Sequence, residues 1–190
     1  EATDTSVDAQ LTELAASGAD VFFNAMSITP LVISSLQKAQ QLGWSPSWFL
    51  PSNTSSPTAI LQPGGADAFP GVYSVSFSKA PASPAFADDE DVQTFLTDLK
   101  QYADYQDMPA FPHCMWSFMV GATLEQAFEK MTEPTRENFM EALRSISDFQ
   151  APLMLDGTAV DTTVDGQPAV SSVVVQKYNG QGYTTVESFG

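Results

Sequence analysis

Twice within the first fifty residues a helical apolar pattern ends at a glycine and gives way to a short apolar run. Val7, Leu11, Leu14 and Ala15 fall at helical spacing, Ser6 or Asp8 is placed to cap the start, and Gly18 is placed to end the helix. Glycine suits that position because it accepts a left-handed backbone at low cost. Ala19 to Phe23 then reads as a short strand, apolar enough to be buried on both faces of a parallel sheet. The pattern repeats from about Pro30 to Leu42, where Val32, Ser35, Leu36, Ala39 and Leu42 line one face and Gly43 ends the helix. Trp48 to Leu50 is the next strand, halted by Pro51. Helix, strand, helix, strand at this spacing argues for an α/β layered fold with right-handed crossovers.

Further along, residues 51–70 are rich in Ser, Thr, Pro and Gly and read as a long loop containing a short helical turn. Val72 to Phe77 reads as a strand, and Lys79 to Phe86, with Pro81 and Pro84, as a loop. Asp88 to Asp91 open a helix whose apolar face is Val92, Phe95, Leu96, Leu99 and Tyr102. Acids suit the positive end of a helix dipole. Pro112 to Met131 is apolar nearly all round and predicts a buried helix, with Trp116 and Phe118 in the core. Thr135 is placed to cap a helix to Ile146, with Phe139, Met140, Leu143 and Ile146 inward. Val170 to Tyr178 and Tyr183 to Phe189 predict a hairpin around Asn179-Gly180. There is no internal repeat.

Charge narrows the function classes. Seven basic residues against 23 acidic ones give a net charge of −16. Phosphate backbones and anionic membrane surfaces repel such a chain, so no nucleic-acid partner is expected. No apolar run approaches the roughly 20 residues of a membrane span. Glu1 to Asp8 is polar and acidic. A signal peptide is therefore expected to have been removed, or to lie upstream of this sequence. Cys114 is the one cysteine, so neither an intrachain disulfide nor a cysteine metal cage can form.

Enzymatic patterns are weak. His113 and Cys114 are adjacent on a predicted helix. Their side chains diverge by about 100°, which prevents a direct nucleophile–base pair. No second histidine exists for a zinc site of the usual kind. Gly64-Gly65 lacks the Lys-Ser/Thr that completes a phosphate loop, and Asp88 to Asp91 lack the spacing of a calcium loop. No cofactor and no metal site is expected.

Several phrases resemble one family in order and spacing over nearly all of the chain. They are Ala9-Gln10-Leu11 through Ser17-Gly18-Ala19-Asp20-Val21, Ala39-Gln40-Gln41-Leu42-Gly43-Trp44, Phe86-Ala87-Asp88-Asp89, Thr135-Arg136-Glu137-Asn138, Pro152-Leu153 and Tyr178-Asn179-Gly180. The chain resembles the C-terminal part of the periplasmic substrate-binding proteins of branched-chain amino acid (Leu/Ile/Val-binding-like) ABC transporters. The resemblance implies a type I periplasmic-binding fold, with two three-layer α/β/α Rossmann-like lobes that close on a solute. On that template residues 1–70 belong to lobe 2, residues 71–168 to lobe 1 after a crossing near Gly71–Val75, and residues 169–190 return to lobe 2. Such receptors are about twice this long, so the fold is incomplete in this chain. Unfinished sheets and large apolar surfaces are expected, covered by a missing N-terminal half or another chain.

Ligands of open α/β sheets bind outside the carboxyl ends of the strands. Two such ends are visible. The first is the run Asn24 to Thr29, where the resemblance implies wall contacts from Ser27, Ile28 and Thr29; the plain reading is a turn with Thr29 as N-cap. The second is Pro51 to Thr54, where the resemblance implies an acid that holds the ammonium in the amino-acid receptors and this chain has Ser52 or Asn53. A neutral group pairs poorly with a buried ammonium, so a carboxylate, amide or aromatic acid is favoured over an α-amino acid. The resemblance also places a cleft residue near His113, where a helix N-terminus suits an anion.

The implied function is an extracytoplasmic receptor, periplasmic or extracellular and either free or held by a lipid anchor. It captures a small organic solute and delivers it to an ABC-transporter membrane permease without chemistry. A ligand-sensing domain of the same fold, and a hydrolase or amidase using Cys114, are the competing readings.

Overall fold

The computed structural model describes residues 6–103 and 112–186. The chain divides into two compact units, residues 1–75 with 175–190, and residues 76–174.

The first unit is built on an α/β sheet. Helix α1 (Asp8–Ala16) leads to β1 (Val21–Phe23), α2 (Thr29–Gln41) to β2 (Ser47–Leu50), and β3 (Val72–Ser76) follows. The hairpin of β4 (Val174–Tyr178) and β5 (Tyr183–Thr185) completes the sheet, in the order β1-β2-β3-β4-β5. β1 runs parallel to β2 and β2 to β3, whereas β4 and β5 are antiparallel. Parallel neighbours joined through α2 follow from the helix–glycine–strand repeat. Gly18 and Gly43 sit at φ +75° and +66°, where a side chain would be strained. The Trp44 indole donates to the Ala19 carbonyl at 2.8 Å, tying the end of α2 to the start of β1.

Residues 51–70 are more ordered than a loop. A 3₁₀ turn (Ser52–Thr54), a π turn (Pro57–Leu61), the short α3 (Gln62–Gly64) and a second 3₁₀ turn (Ala66–Ala68) follow one another. They bring Ile60 and Leu61 into the core with Leu11, Val32, Leu36, Trp48 and Val72. Each large side chain so buried stabilises by about 1.5–3 kcal/mol.

This core covers one face of the sheet. On the other, Val21 is 55 % and Phe23 69 % exposed. The expected burial of β1 on both faces is therefore not found: β1 is an edge strand with one face exposed. Phe23 is in register with Phe49, and Phe49 with Tyr73. Phe49 and Tyr73 stack at 5.0 Å, and Lys177 Nζ lies 5.5 Å from the centre of the Tyr73 ring.

The second unit contains α4 (Glu90–Tyr102), α5 (Pro112–Lys130) and α6 (Arg136–Leu143) around Phe95, Met119, Ile146, Leu153 and Met154. Asp89 caps α4, its carboxylate accepting from Val92 N, and Thr135 caps α6 by accepting from Asn138 N. Lys79 bonds Asp89 at 2.8 Å and Asp91 at 3.1 Å. Of the acids at 88–91, Asp89 caps the helix and Glu90 and Asp91 lie in its first turn. α6 ends at Leu143, three residues short of the predicted Ile146, although Ile146 is buried. The α5 helix is not buried all round. Met115, Met119 and Ala127 face the core, but Trp116, Val120 and Phe128 are about half exposed. Trp116 is thus not a core residue; its ring meets Phe77 edge-on at 5.5 Å. The predicted hairpin is present in shortened form. Its first strand begins at Val174 rather than Val170, and residues 187–190 lie outside the described residues.

Candidate functional site

Because β1 and β2 are parallel and adjacent, their carboxyl ends lie side by side. The segment after β1 opens with Asn24, which is 1 % exposed. Its Nδ2 donates to Ser35 Oγ at 3.1 Å and its Oδ1 accepts from Met26 N at 3.0 Å. The Asn24 amide also donates to the Phe49 carbonyl at 2.9 Å, closing the β1–β2 ladder. A buried amide satisfied on both sides fixes the turn that leads into α2.

Beyond Asn24 the chain surfaces, and Ser27, Ile28 and Thr29 are exposed. Thr29 does not cap α2. It is the first helical residue, and the cap position falls on Ile28, which has no side chain able to accept a hydrogen bond. The Ile28 carbonyl accepts from Leu31 N at 3.0 Å and from Val32 N at 3.1 Å.

The segment after β2 has the same layout. Ser52 and Asn53 are exposed, whereas Thr54 and Ser55 are buried. Thr54 Oγ1 donates to the Met26 carbonyl at 3.2 Å, joining the two segments directly. Ser55 Oγ donates to the Ser52 carbonyl at 3.1 Å and accepts from Ser74 Oγ of β3 at 2.9 Å. The Tyr183 hydroxyl of β5 donates to the Ser55 carbonyl at 2.7 Å. Burial pushes the Tyr183 phenol well above its ordinary pKa, outweighing the lowering effect of the Ser55 side chain. Its hydroxyl therefore stays a donor at any physiological pH.

The structure thus brings Ser27, Ile28, Thr29, Ser52 and Asn53 to one end of the sheet, on a buried polar base. Residues 24–29 and 51–56 contain no charged side chain. What this surface offers is hydroxyl and amide hydrogen bonding beside one aliphatic group. His113 lies in the first turn of α5, in the other unit, and its side chain lies outside the described residues. Its neighbour Cys114 is half-buried and free. Of this base, Asn24 and Thr54 fall within the two strand-end runs named from the sequence, whereas Ser55, Ser74 and Tyr183 do not. A polar residue placed directly after an apolar strand, as Asn24 is, was the available signal. Nothing local marks Tyr183.

The structure is thus a mixed α/β sheet with a neutral, hydrogen-bonding surface at the carboxyl ends of β1 and β2. The sequence profile of the periplasmic binding proteins matches residues 1–182, and the chain belongs to that family. Solved structures share the fold at low identity. A branched chain amino acid ABC transporter protein from Thermus thermophilus with bound valine superposes with a TM-score of 0.73 at 14 % identity, covering 96 % of this chain and 48 % of its own. A fatty acid ABC transporter substrate-binding protein from Thermomonospora curvata gives 0.69 at 20 % identity, with coverages of 98 % and 47 %. A leucine binding protein from Thermotoga maritima gives 0.62 at 18 % identity, with coverages of 97 % and 49 %. The chain therefore spans about half the length of the solved structures it matches. No curated protein matches it.

Proposed function

We propose that the chain is part of an extracytoplasmic solute receptor that captures a small organic molecule and delivers it to an ABC permease without chemical conversion. Residues 1–70 and 169–190 are lobe 2 of such a receptor and residues 71–168 lobe 1, a division supported by the two compact units, which separate a few residues later at 75/76 and 174/175. The observation that carries the reading is the joined pair of strand-end segments, with exposed Ser27, Ile28, Thr29, Ser52 and Asn53 over buried Asn24 and Thr54. His113 is a further proposed ligand contact. Family membership and the transport roles named for the similar structures support it. Those roles span a protein with bound valine and a fatty acid transporter protein, so the fold serves more than one solute class.

The solute class follows from the chemistry of the rim. With no carboxylate at 24–29 or 51–56, an ammonium group would find no counter-charge there. A small carboxylate, an amide or an aromatic acid fits better than an α-amino acid. The uncovered apolar surfaces fit a protein completed by further chain. Val21 and Phe23 on the sheet, and Trp116, Val120 and Phe128 on α5, are where a missing half or another chain would pack.

The test is a thermal-shift panel of benzoate, butyrate, decanoate, acetamide and L-valine. A solute bound only by the native state raises the melting temperature. A carboxylate or amide is expected to stabilise more than valine does. No stabilisation by any probe at millimolar concentration, or chemical conversion of a bound probe, would overturn the reading.

A further inference from the structure

The two strand-end segments are held from an unexpected direction. The Ser52–Ser55 turn follows β2, yet two of its anchors come from strands later in the chain. Ser74 of β3 holds the Ser55 hydroxyl at 2.9 Å, and Tyr183 of β5 holds the Ser55 carbonyl at 2.7 Å from 128 residues away. Ser55 passes the restraint to the Ser52 carbonyl at 3.1 Å. Thr54, 1 % exposed, then passes it to Met26 at 3.2 Å, and Met26 N is held by Asn24 at 3.0 Å. Tyr183 is itself fixed. Its ring meets Tyr178 at 6.0 Å, and the hairpin turn before it is closed by Asn179 Oδ1 accepting from Gln181 N and Gly182 N.

We infer that Tyr183 is a positioning residue for the ligand rim: its hydroxyl sets the Ser52–Asn53 segment, and Thr54 transmits that setting to the Ser27–Thr29 segment, so that both walls move as one body. The inference rests on the reading of these segments as the solute-contacting rim. These hydrogen bonds are joined through the backbone of residues 52–55, so the restraint passes from Tyr183 to Ser55 and through Thr54 to Met26. Loss of one phenolic hydroxyl then loosens two segments, the second of them distant in sequence from β5. The first strands of the sheet, which share no hydrogen bond with Tyr183, keep their stability.

Site-resolved amide hydrogen exchange on the whole chain tests this without any solute. Three amides serve as probes. Thr54 N bonds to the Pro51 carbonyl in the turn, Met26 N reports the other segment, and Trp48 N, bonded to the Gly71 carbonyl at 2.8 Å, reports the sheet. Tyr183→Phe removes the hydroxyl and keeps the ring. It should speed exchange at Thr54 by about tenfold, the equivalent of one buried hydrogen bond, and at Met26 by a smaller factor, with Trp48 unchanged. In a Thr54→Val background the same change should no longer reach Met26. Unchanged exchange at Thr54 in Tyr183→Phe overturns the inference. So does equal acceleration at all three probes, which marks a merely structural tyrosine. So does a Met26 response that survives Thr54→Val. Because no solute enters the measurement, its failure is distinguishable from failure of the binding reading, which the solute panel decides.

Discussion

Replacement of Asn24 by alanine tests whether the polar base is a working part of the first unit. The side chain is 1 % exposed and makes two hydrogen bonds, to Ser35 Oγ at 3.1 Å and from Met26 N at 3.0 Å. The loss at Ser35 is mild, since that hydroxyl still donates to the Val32 carbonyl at 2.7 Å; it amounts to about 1 kcal/mol. The loss at Met26 leaves an amide without its acceptor in a half-buried turn and adds about 1–2 kcal/mol. A small void adds up to about 1 kcal/mol. The sum is about 2–4 kcal/mol, which moves a urea midpoint down by about 1–2 M. Tryptophan fluorescence reads this cleanly in a Trp116→Phe background, because Trp44 and Trp48 are buried in the first unit and Trp116 belongs to the second. Asn24→Asp is the control. It keeps an acceptor for Met26 N but buries a carboxylate with few donors, so its folded pKa is raised. Its stability is then highest at low pH and falls as pH rises. A midpoint shift for Asn24→Ala below about 0.3 M would refute the assigned role of the amide.

The ion pair of the second unit has a defined pH window. The Lys79 hydrogen bond holds the Asp89 carboxyl below its ordinary 3.8, despite partial burial. Burial works against the Lys79 ammonium, but hydrogen bonds with Asp89 and Asp91 outweigh it and raise its pKa above 10.5. The Asp89 contribution is present above pH about 4 and is lost as pH falls through its depressed pKa; the Lys79 contribution is lost only as pH rises through its raised one. Lys79→Met should therefore flatten the acid limb of a stability–pH curve recorded by circular dichroism, with little change in slope between pH 5 and 8. Glycine substitutions separate two environments. A Cβ on Gly64 would lie 2.5 Å from Leu36 Cδ1, so Gly64→Ala should destabilise by about 1–3 kcal/mol. A Cβ on Gly121 meets nothing within 4 Å in mid-helix, so Gly121→Ala should stabilise by about 0.5–1 kcal/mol in urea titrations.

The alternation of helix and strand through residue 50 was legible because each local signal agrees with the next. Apolar spacing, a terminal glycine and a short apolar run all specify the same βα order, and the parallel pairing of β1, β2 and β3 follows. The exposure of β1 was not legible, since an apolar strand looks alike whether or not something packs on its second face. The same holds for α5, whose periodicity records apolar residues on every side but not that Trp116 and Val120 stay about half exposed. Residues 57–68 defeated composition, because prolines that break one helix open the next turns at Pro57 and Pro63. At the candidate site the rim was accessible through the strand-end rule. Its base was not, because the contact between Tyr183 and Ser55 spans 128 residues and depends on where β5 falls in the sheet.

The joined ends of β1 and β2 are proposed to contact a solute. Amide chemical-shift mapping during titration with the most stabilising probe of the solute panel tests it residue by residue. Saturable shifts are expected to concentrate in residues 24–29 and 51–55, with the probe recovered unchanged. Saturable shifts confined to other surfaces, with both strand-end segments silent, would contradict it.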